Sequence, residues 1–379
     1  MSKIKLGMVG GGKGSFIGEV HRMAARLDDR YELLAGALSS DANTAKESAL
    51  SLNLDKKRSY SSFDTMAEVE ASLEDGIEAV AIVTPNHLHA QVAEAFLNNG
   101  IHVICDKPLT SSLADAEGLA SIVKDTGLVF AVTYNYSGYP MVRQAREMIQ
   151  NGDLGELRVI QIEYAQGWLA TDIEKTGHKQ ALWRTNPAKA GIGGAIGDIG
   201  THAFHLSEFV TGLQVKDLLA DLDSMVSGRE LDDNANILMK YTNGVKGMLW
   251  VSQIATGKEN GLKIRVFGTK AGIEWSQENP NFLEFSRLGE SRRTLSRGGP
   301  SIGSLAGDAT RIPSGHPEGF IEGFANIYSD TADLIIAHRS NSKTNSLVPT
   351  INDGIRGMQF IETAVKSSTS GGVWLSFGS

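Results

Sequence analysis

One cysteine, Cys105, stands in 379 residues. That excludes an internal disulfide and a cysteine metal cluster. No apolar run approaches the ~20 residues a bilayer span needs, and no signal peptide precedes the first strand, so a cytoplasmic protein is expected. Basic residues are in deficit: 36 Lys and Arg against 44 Asp and Glu give a formal net charge of -8. A nucleic-acid surface is therefore not expected. What is present is ordinary for a globular chain, 41% hydrophobic and 21% charged, and the length suits two domains.

The organising stretch is KIKLGMVGGGKGSFIGEVH, from Lys3. Ile4, Leu6, Met8 and Val9 read as a buried strand. Gly10, Gly11, Gly12, Gly14 and Gly18 follow at once, and Val20, Met23, Ala24 and Leu27 share one face of a helix. Strand, glycine turn and helix form the first unit of a dinucleotide-binding fold, with a pyrophosphate on the helix N-terminus. Gly10 and Gly12 occupy the first two positions of G-x-G-x-x-G, but Ser15 falls on the third. Gly18 takes that role only if Lys13–Phe16 contains an insertion. Gly10, Gly12, Gly14, Ser15, Phe16 and Ile17 are the expected cofactor contacts; a purely structural turn is the alternative.

A second strand, from Tyr31 to Leu38, ends in Ser39-Ser40-Asp41. Asp41 suits the ribose diol of NAD. Ser39 and Ser40, helped by Lys46, suit the 2′-phosphate of NADP. A helix cap by Ser40 or Asp41 is the third reading. Further strands at 79–83, 101–105 and 128–133 alternate with helices, which implies a parallel sheet whose strand C-termini hold the ligand. That edge collects Thr84, Pro85, Asn86, His89, Asp106, Lys107 and Asn135 as expected cofactor residues. Lys107 reads either as a surface lysine before a turn or as a candidate catalytic and substrate-binding group whose charge would favour alkoxide character on a bound hydroxyl.

Four motifs in order, VGGG…IGxxH, TPNHLH, CDKPL and GDIGTH, resemble the glucose–fructose oxidoreductase and inositol dehydrogenase family, Gfo/Idh/MocA. Asp106 stands where the family's E-K-P signature has Glu. The resemblance implies an N-terminal Rossmann domain, here 1–135, and a C-terminal α/β domain, here 136–379, with an open, mostly antiparallel sheet. It implies NAD- or NADP-dependent oxidation or reduction of sugars, inositols or related polyols. It also implies that Asp198 and His202 of GDIGTH flank the substrate hydroxyl. Imidazole titrates near neutrality, so His202 is the expected general base, with Asp198 orienting substrate or base. His205 stands where many relatives carry an aspartate. Two other readings of this triplet are a metal site on one helix face and a capping aspartate with core histidines.

Past Tyr134 the pattern changes. Gly167–Pro187 reads as an irregular loop holding Trp168, His178, Lys179, Trp183 and Arg184. Aromatic and cationic groups in a loop suit a sugar, although Trp183 as loop anchor and Arg184 as surface ion fit equally. Strands at 235–241 and 245–253 flank Asn243-Gly244, a hairpin signal; others are expected at 263–267, 272–275 and 282–287. Gly289–Gly315 reads as a long loop. HPEGFIEGFANIY resembles the family again and makes His316 a possible substrate contact. Helices are expected at 318–336 and 351–366. One sheet face is left for a subunit contact, hence a homodimer or homotetramer. The expected function is hydride transfer between the nicotinamide and a secondary hydroxyl of a cyclic polyol or sugar, with reduction of the corresponding ketone as the runner-up. A nucleotide-sensing protein without turnover is the alternative from another class.

Overall fold

The computed structural model describes residues 2–377, in two compact units. The first runs to Asn135 and takes in Phe320–Ile355; the second comprises Tyr136–Gly319 and the chain from Arg356 onward.

In the first unit, β1 (Ile4–Gly10), β2 (Tyr31–Ala37), β3 (Ala79–Val83), β4 (His102–Cys105) and β5 (Phe130–Val132) form one sheet in the order β2-β1-β3-β4-β5. All its pairs are parallel. Every residue of β3 and β4 is buried, as in a sheet covered on both faces, so these strands read as apolar runs without alternation. The order reverses between β1 and β3, the place where such sheets open a crevice at their strand ends. Gly10 pairs with Val83 there.

The helix Phe320–Arg339 belongs to this first unit, a correction to the contiguous second domain 136–379. Phe324, Tyr328, Ala332 and Ile335 recur at helical spacing and join Val20 and Ala24 of the helix Phe16–Leu27 in one core. The Tyr31 hydroxyl donates to the Tyr328 carbonyl at 2.8 Å. The chain then returns along the sheet edge, where the Val132 N–H donates to the Pro349 carbonyl at 2.9 Å. An apolar helical face shows that a helix is buried, but not which core buries it.

The second unit holds a nine-stranded sheet. Its strands are β6 (Leu157–Ala165), β7 (Val215–Asp223), β8 (Asn234–Tyr241), β9 (Lys246–Ser252), β10 (Gly261–Gly268), β11 (Ala271–Ser276), β12 (Phe282–Arg287), β13 (Arg293–Ser296) and β14 (Leu375–Ser376). The order is β13-β12-β11-β10-β6-β9-β8-β7-β14, and only β6 with β9 is parallel. The Asn243-Gly244 hairpin forms as read, with Gly244 at φ 88° and its N–H on the Tyr241 carbonyl. On β8, Ala235, Ile237, Met239 and Tyr241 are buried while Leu238 is 44% exposed. Met248 of the paired strand is 50% exposed, so one face of this sheet carries uncovered apolar side chains. Helices lie on the other face, where Phe204 stacks on Phe360 at 4.5 Å.

Two stretches read as loops are more structured than their composition suggests. Gly289–Gly315 contains β13 and a helical turn, Ser304–Gly307. That turn is capped from outside, by Gln144 on Gly303 N at 2.7 Å and Glu147 on Leu305 N at 2.9 Å. Gly167–Pro187 contains the short helix Lys179–Arg184, capped by His178.

Candidate functional site

The glycine turn of the first unit is built around close backbone approach. A Cβ on Gly18 would stand 2.4 Å from the Gly11 Cα, so Gly18 is the helix-packing glycine and the turn does carry the insertion. Gly12 has a different reason from the one expected. Its Cβ would meet the Leu38 carbonyl oxygen at 2.5 Å and Ser48 Oγ at 2.8 Å, so it packs on the end of β2. Gly14 adopts φ 79°, a left-handed conformation that favours glycine, and beyond its chain neighbours no atom of the described residues lies within 4 Å of a Cβ there. Ser15 caps the helix by accepting from Gly18 N at 3.2 Å. Phe16 is 70% exposed, and Ile17 packs partly against the core. Arg22, which the sequence did not single out, is buried and donates to the Gly11 carbonyl at 2.5 Å.

At the end of β2, Asp41 is exposed and caps the helix Ala42–Ser51, accepting from Thr44 N at 2.7 Å. Hydrogen bonds from Thr44, its side chain first and its N–H second, lower the carboxyl's pKa. Ser39 Oγ accepts from Asp41 N at 3.2 Å, and Ser40 is exposed. At the ends of β3 and β5, Thr84 Oγ1 and Asn135 Nδ2 are buried without a hydrogen-bond partner, and Asn86, after Pro85, is buried. Open space at Gly14, the tight turn and two orphaned polar atoms along one strand-end edge fit a dinucleotide.

His89 is corrected: it is 1% exposed and turned inward. Its Nδ1 faces the Pro108 carbonyl at 3.0 Å and its Nε2 the Thr84 carbonyl at 2.9 Å. It therefore ties two strand-end turns together and is not presented to a cofactor. Asp106 also works internally. Its Oδ1 accepts from Thr133 Oγ1 at 2.8 Å and from Lys107 N at 3.1 Å, and His21 Nε2 lies 3.9 Å away. Burial pushes the Asp106 carboxyl up, but His21, Lys107 and Thr133 together hold it well below the carboxylate range. His21 in turn contacts the Tyr328 hydroxyl through Nδ1 at 2.8 Å. Lys107 is half-buried at the end of β4.

In the second unit, GDIGTH spans a π-helical turn, Ile196–Gly200, that runs into the helix Thr201–Thr211. Such turns recur at functional sites because they re-aim side chains without ending the helix. Asp198 sits within the turn. Its Oδ2 accepts from Arg184 Nε at 3.1 Å and Gln253 Nε2 at 2.9 Å. His202, one turn on, is buried with its ring edge-on to Tyr136 at 4.8 Å. The Tyr136 pKa is raised, first by burial and also by the Asp198 charge. Asp198 and His202 thus both bear on Tyr136. From there a polar chain runs outward: Tyr136 to Tyr164 at 2.6 Å, Tyr164 to Asn260 Oδ1 at 2.7 Å, then Gln166 and the indole N–H of Trp168. Gln253, Tyr136, Tyr164 and Asn260 carried no sequence signal, being single polar residues on or beside strands and turns.

Trp183 lies under the Arg184 guanidinium at 4.3 Å, so Arg184 serves Asp198 and Trp183 together. His205 is buried beside Phe209. Among the described residues no three His, Cys, Asp or Glu gather as metal ligands. His316 is exposed in a turn whose carbonyl accepts from Arg297; the described contacts do not bring it to Asp198 or His202.

Residues 4–134 match the family model described as an oxidoreductase family with an NAD-binding Rossmann fold, and residues 142–274 match the GFO/IDH/MocA C-terminal domain. The crystal structure of an oxidoreductase from Sinorhizobium meliloti is 53% identical, covering 99% of this chain and 100% of that one, with a TM-score of 0.91. An inositol dehydrogenase homologue from Azotobacter vinelandii, solved with NADH and myo-inositol, is 37% identical over 99% of this chain and 98% of its own, TM-score 0.92. The levoglucosan dehydrogenase of Pseudarthrobacter phenanthrenivorans is 28% identical over 75% of this chain and 76% of its own.

Proposed function

We propose that this chain, which belongs to the GFO/IDH/MocA family of oxidoreductases, is a dehydrogenase of a secondary hydroxyl on a cyclic polyol or sugar. Bound NAD supplies the hydride acceptor. Gly10, Gly14, Ser15 and the first helix turn take the pyrophosphate; Thr84, Asn86 and Asn135 supply polar groups along the strand ends. Lys107 stabilises negative charge on the substrate oxygen as hydride departs. His202 accepts the hydroxyl proton. Asp198, fixed by Arg184 and Gln253, orients substrate or base, and Trp168 and Trp183 offer apolar ring faces.

One observation carries the reading: a carboxylate gripped by two donors one helical turn before a buried histidine, in a chain with a dinucleotide turn. A nucleotide sensor has no use for that acid–base pair. The relative solved with NADH and myo-inositol and the levoglucosan dehydrogenase support an inositol or sugar as substrate. The test is NADH formation across a panel of inositols and sugars; dinucleotide binding without turnover on any of them would leave the sensor.

The uncovered sheet face, with Leu238 and Met248 exposed, supports a homodimer or homotetramer assembled through it.

A further inference from the structure

We propose that Asp232 is a positioning residue for the reaction: from outside the helix, it fixes the N-terminus of the element that carries Asp198 and His202. The proposal rests on the catalytic reading of those two residues given above.

Three consecutive backbone N–H groups converge on this one residue. Gly194 N donates to Asp232 Oδ1 at 2.6 Å, Ala195 N to the Asp232 carbonyl at 2.8 Å, and Ile196 N to Asp232 Oδ2 at 2.8 Å. These are the donors that a helix start leaves without intrahelical partners. The π-helical turn and the helix after it have no side-chain cap of their own. A carboxylate at this end also meets the positive pole of the helix dipole, and its bonds to N–H groups are charge-assisted. The approach leaves no room for a side chain, since a Cβ on Gly194 would stand 2.1 Å from the Asp232 carbonyl oxygen.

Asp198 follows directly from this anchor, because its own N–H donates to the Gly194 carbonyl at 2.9 Å. The neighbouring residue supplies a second arm. Gln253 N donates to the Asp233 carbonyl at 2.9 Å, and Gln253 Nε2 holds Asp198 Oδ2 at 2.9 Å. The Asp232-Asp233 dipeptide therefore sets both the backbone before Asp198 and the amide that grips its carboxylate. The Asp233 carboxylate is engaged elsewhere, on Met225 N, Val226 N and Arg229. The other end of the helix is anchored separately, by Glu208 on Val215 N at 2.7 Å and on Arg356.

Asp232→Asn keeps the shape but turns one acceptor into a donor facing an N–H. Gly194→Ala pushes the helix start away with Asp232 intact, and reads the same claim if the first variant folds poorly. Glu208→Gln weakens the far anchor and serves as the control. In each protein kcat, substrate KM, NAD affinity and melting temperature are measured, with His202→Ala alongside. Misplacement of reacting groups by about an ångström costs up to a hundredfold in rate. The expected result is a ten- to hundredfold fall in kcat for both first variants, with NAD affinity unchanged. Glu208→Gln is expected to lose melting temperature but retain kcat. A kcat within about twofold of wild type in Asp232→Asn or a folded Gly194→Ala overturns the proposal, as does a loss in Glu208→Gln that matches theirs. Turnover retained in His202→Ala overturns the underlying reading instead, and the two failures are distinct.

Discussion

Gly18→Ala perturbs the dinucleotide turn at its tightest point. The added Cβ would stand 2.4 Å from the Gly11 Cα and 2.5 Å from the Gly11 carbonyl oxygen. Both are backbone atoms, so no side chain can swing aside. Carbon–carbon contact is comfortable at about 3.5–4.0 Å, and helix and turn must part by roughly 1 Å. The Gly11 carbonyl is also the acceptor of buried Arg22, which resists the movement. Overpacking of this kind costs about 1–3 kcal/mol, while alanine in place of a helical glycine returns about 1 kcal/mol. Net destabilisation is then at most about 2 kcal/mol, small enough for the fold to persist. Binding is affected more, because the displaced N–H groups are the ones proposed to take the pyrophosphate. Losing one hydrogen bond to a charged group costs about 1.5–3 kcal/mol, hence at least a tenfold weaker NAD complex. Calorimetric titration with NAD, paired with a thermal melt, measures both. Wild-type affinity in a folded Gly18→Ala protein would refute the assignment of this turn. Gly12→Val is a poorer probe, since it also strikes the Leu38 carbonyl at the end of β2.

His102 makes stability depend on pH. Burial first, then His338 and Arg339, lower its pKa from 6.5 to about 4, and its Nδ1 accepts the Val129 N–H as a neutral ring must. Between those values the unfolded chain holds a proton that the native one does not. The contribution is complete above pH 6.5 and is lost as pH falls toward 4, on the order of 3 kcal/mol. Melting temperatures across this window are expected to fall less steeply for His102→Gln than for wild type; parallel slopes would contradict the assignment. Charging the open sheet face by Leu238→Glu with Met248→Glu is expected to yield monomers in light scattering, and an oligomer unchanged by both would place the contact elsewhere.

Much of the first unit was legible because its signals are local: an apolar strand, glycines, then a helical stripe. The misfit spacing left Gly18 conditional on an insertion, and the close approach of Gly11 supplies the steric reason for a glycine there. What could not be read depends on partners distant in sequence. Gly12 looked like a cofactor glycine, but its constraint comes from Leu38 and Ser48. His89 was itself an expected cofactor residue, yet its ring is clamped by two carbonyls. Phe320–Arg339 displays a buried face without naming its core, which lies in the first unit. In the second unit GDIGTH was visible as a sequence, but Asp232 and Gln253, which hold Asp198 in place, are isolated polar residues with no motif. Arg184 was weighed as a sugar contact or a surface ion, and its pairing with Asp198 was not legible.

His202 is proposed to take the hydroxyl proton, and Lys107 to stabilise charge on the substrate oxygen. The measurement is steady-state NADH formation on wild type, His202→Ala and Lys107→Ala with the best inositol or sugar. Each single variant is expected to lose about a hundredfold or more in turnover with little change in NAD affinity. Near-wild-type turnover in a folded His202→Ala protein would contradict the assignment of His202.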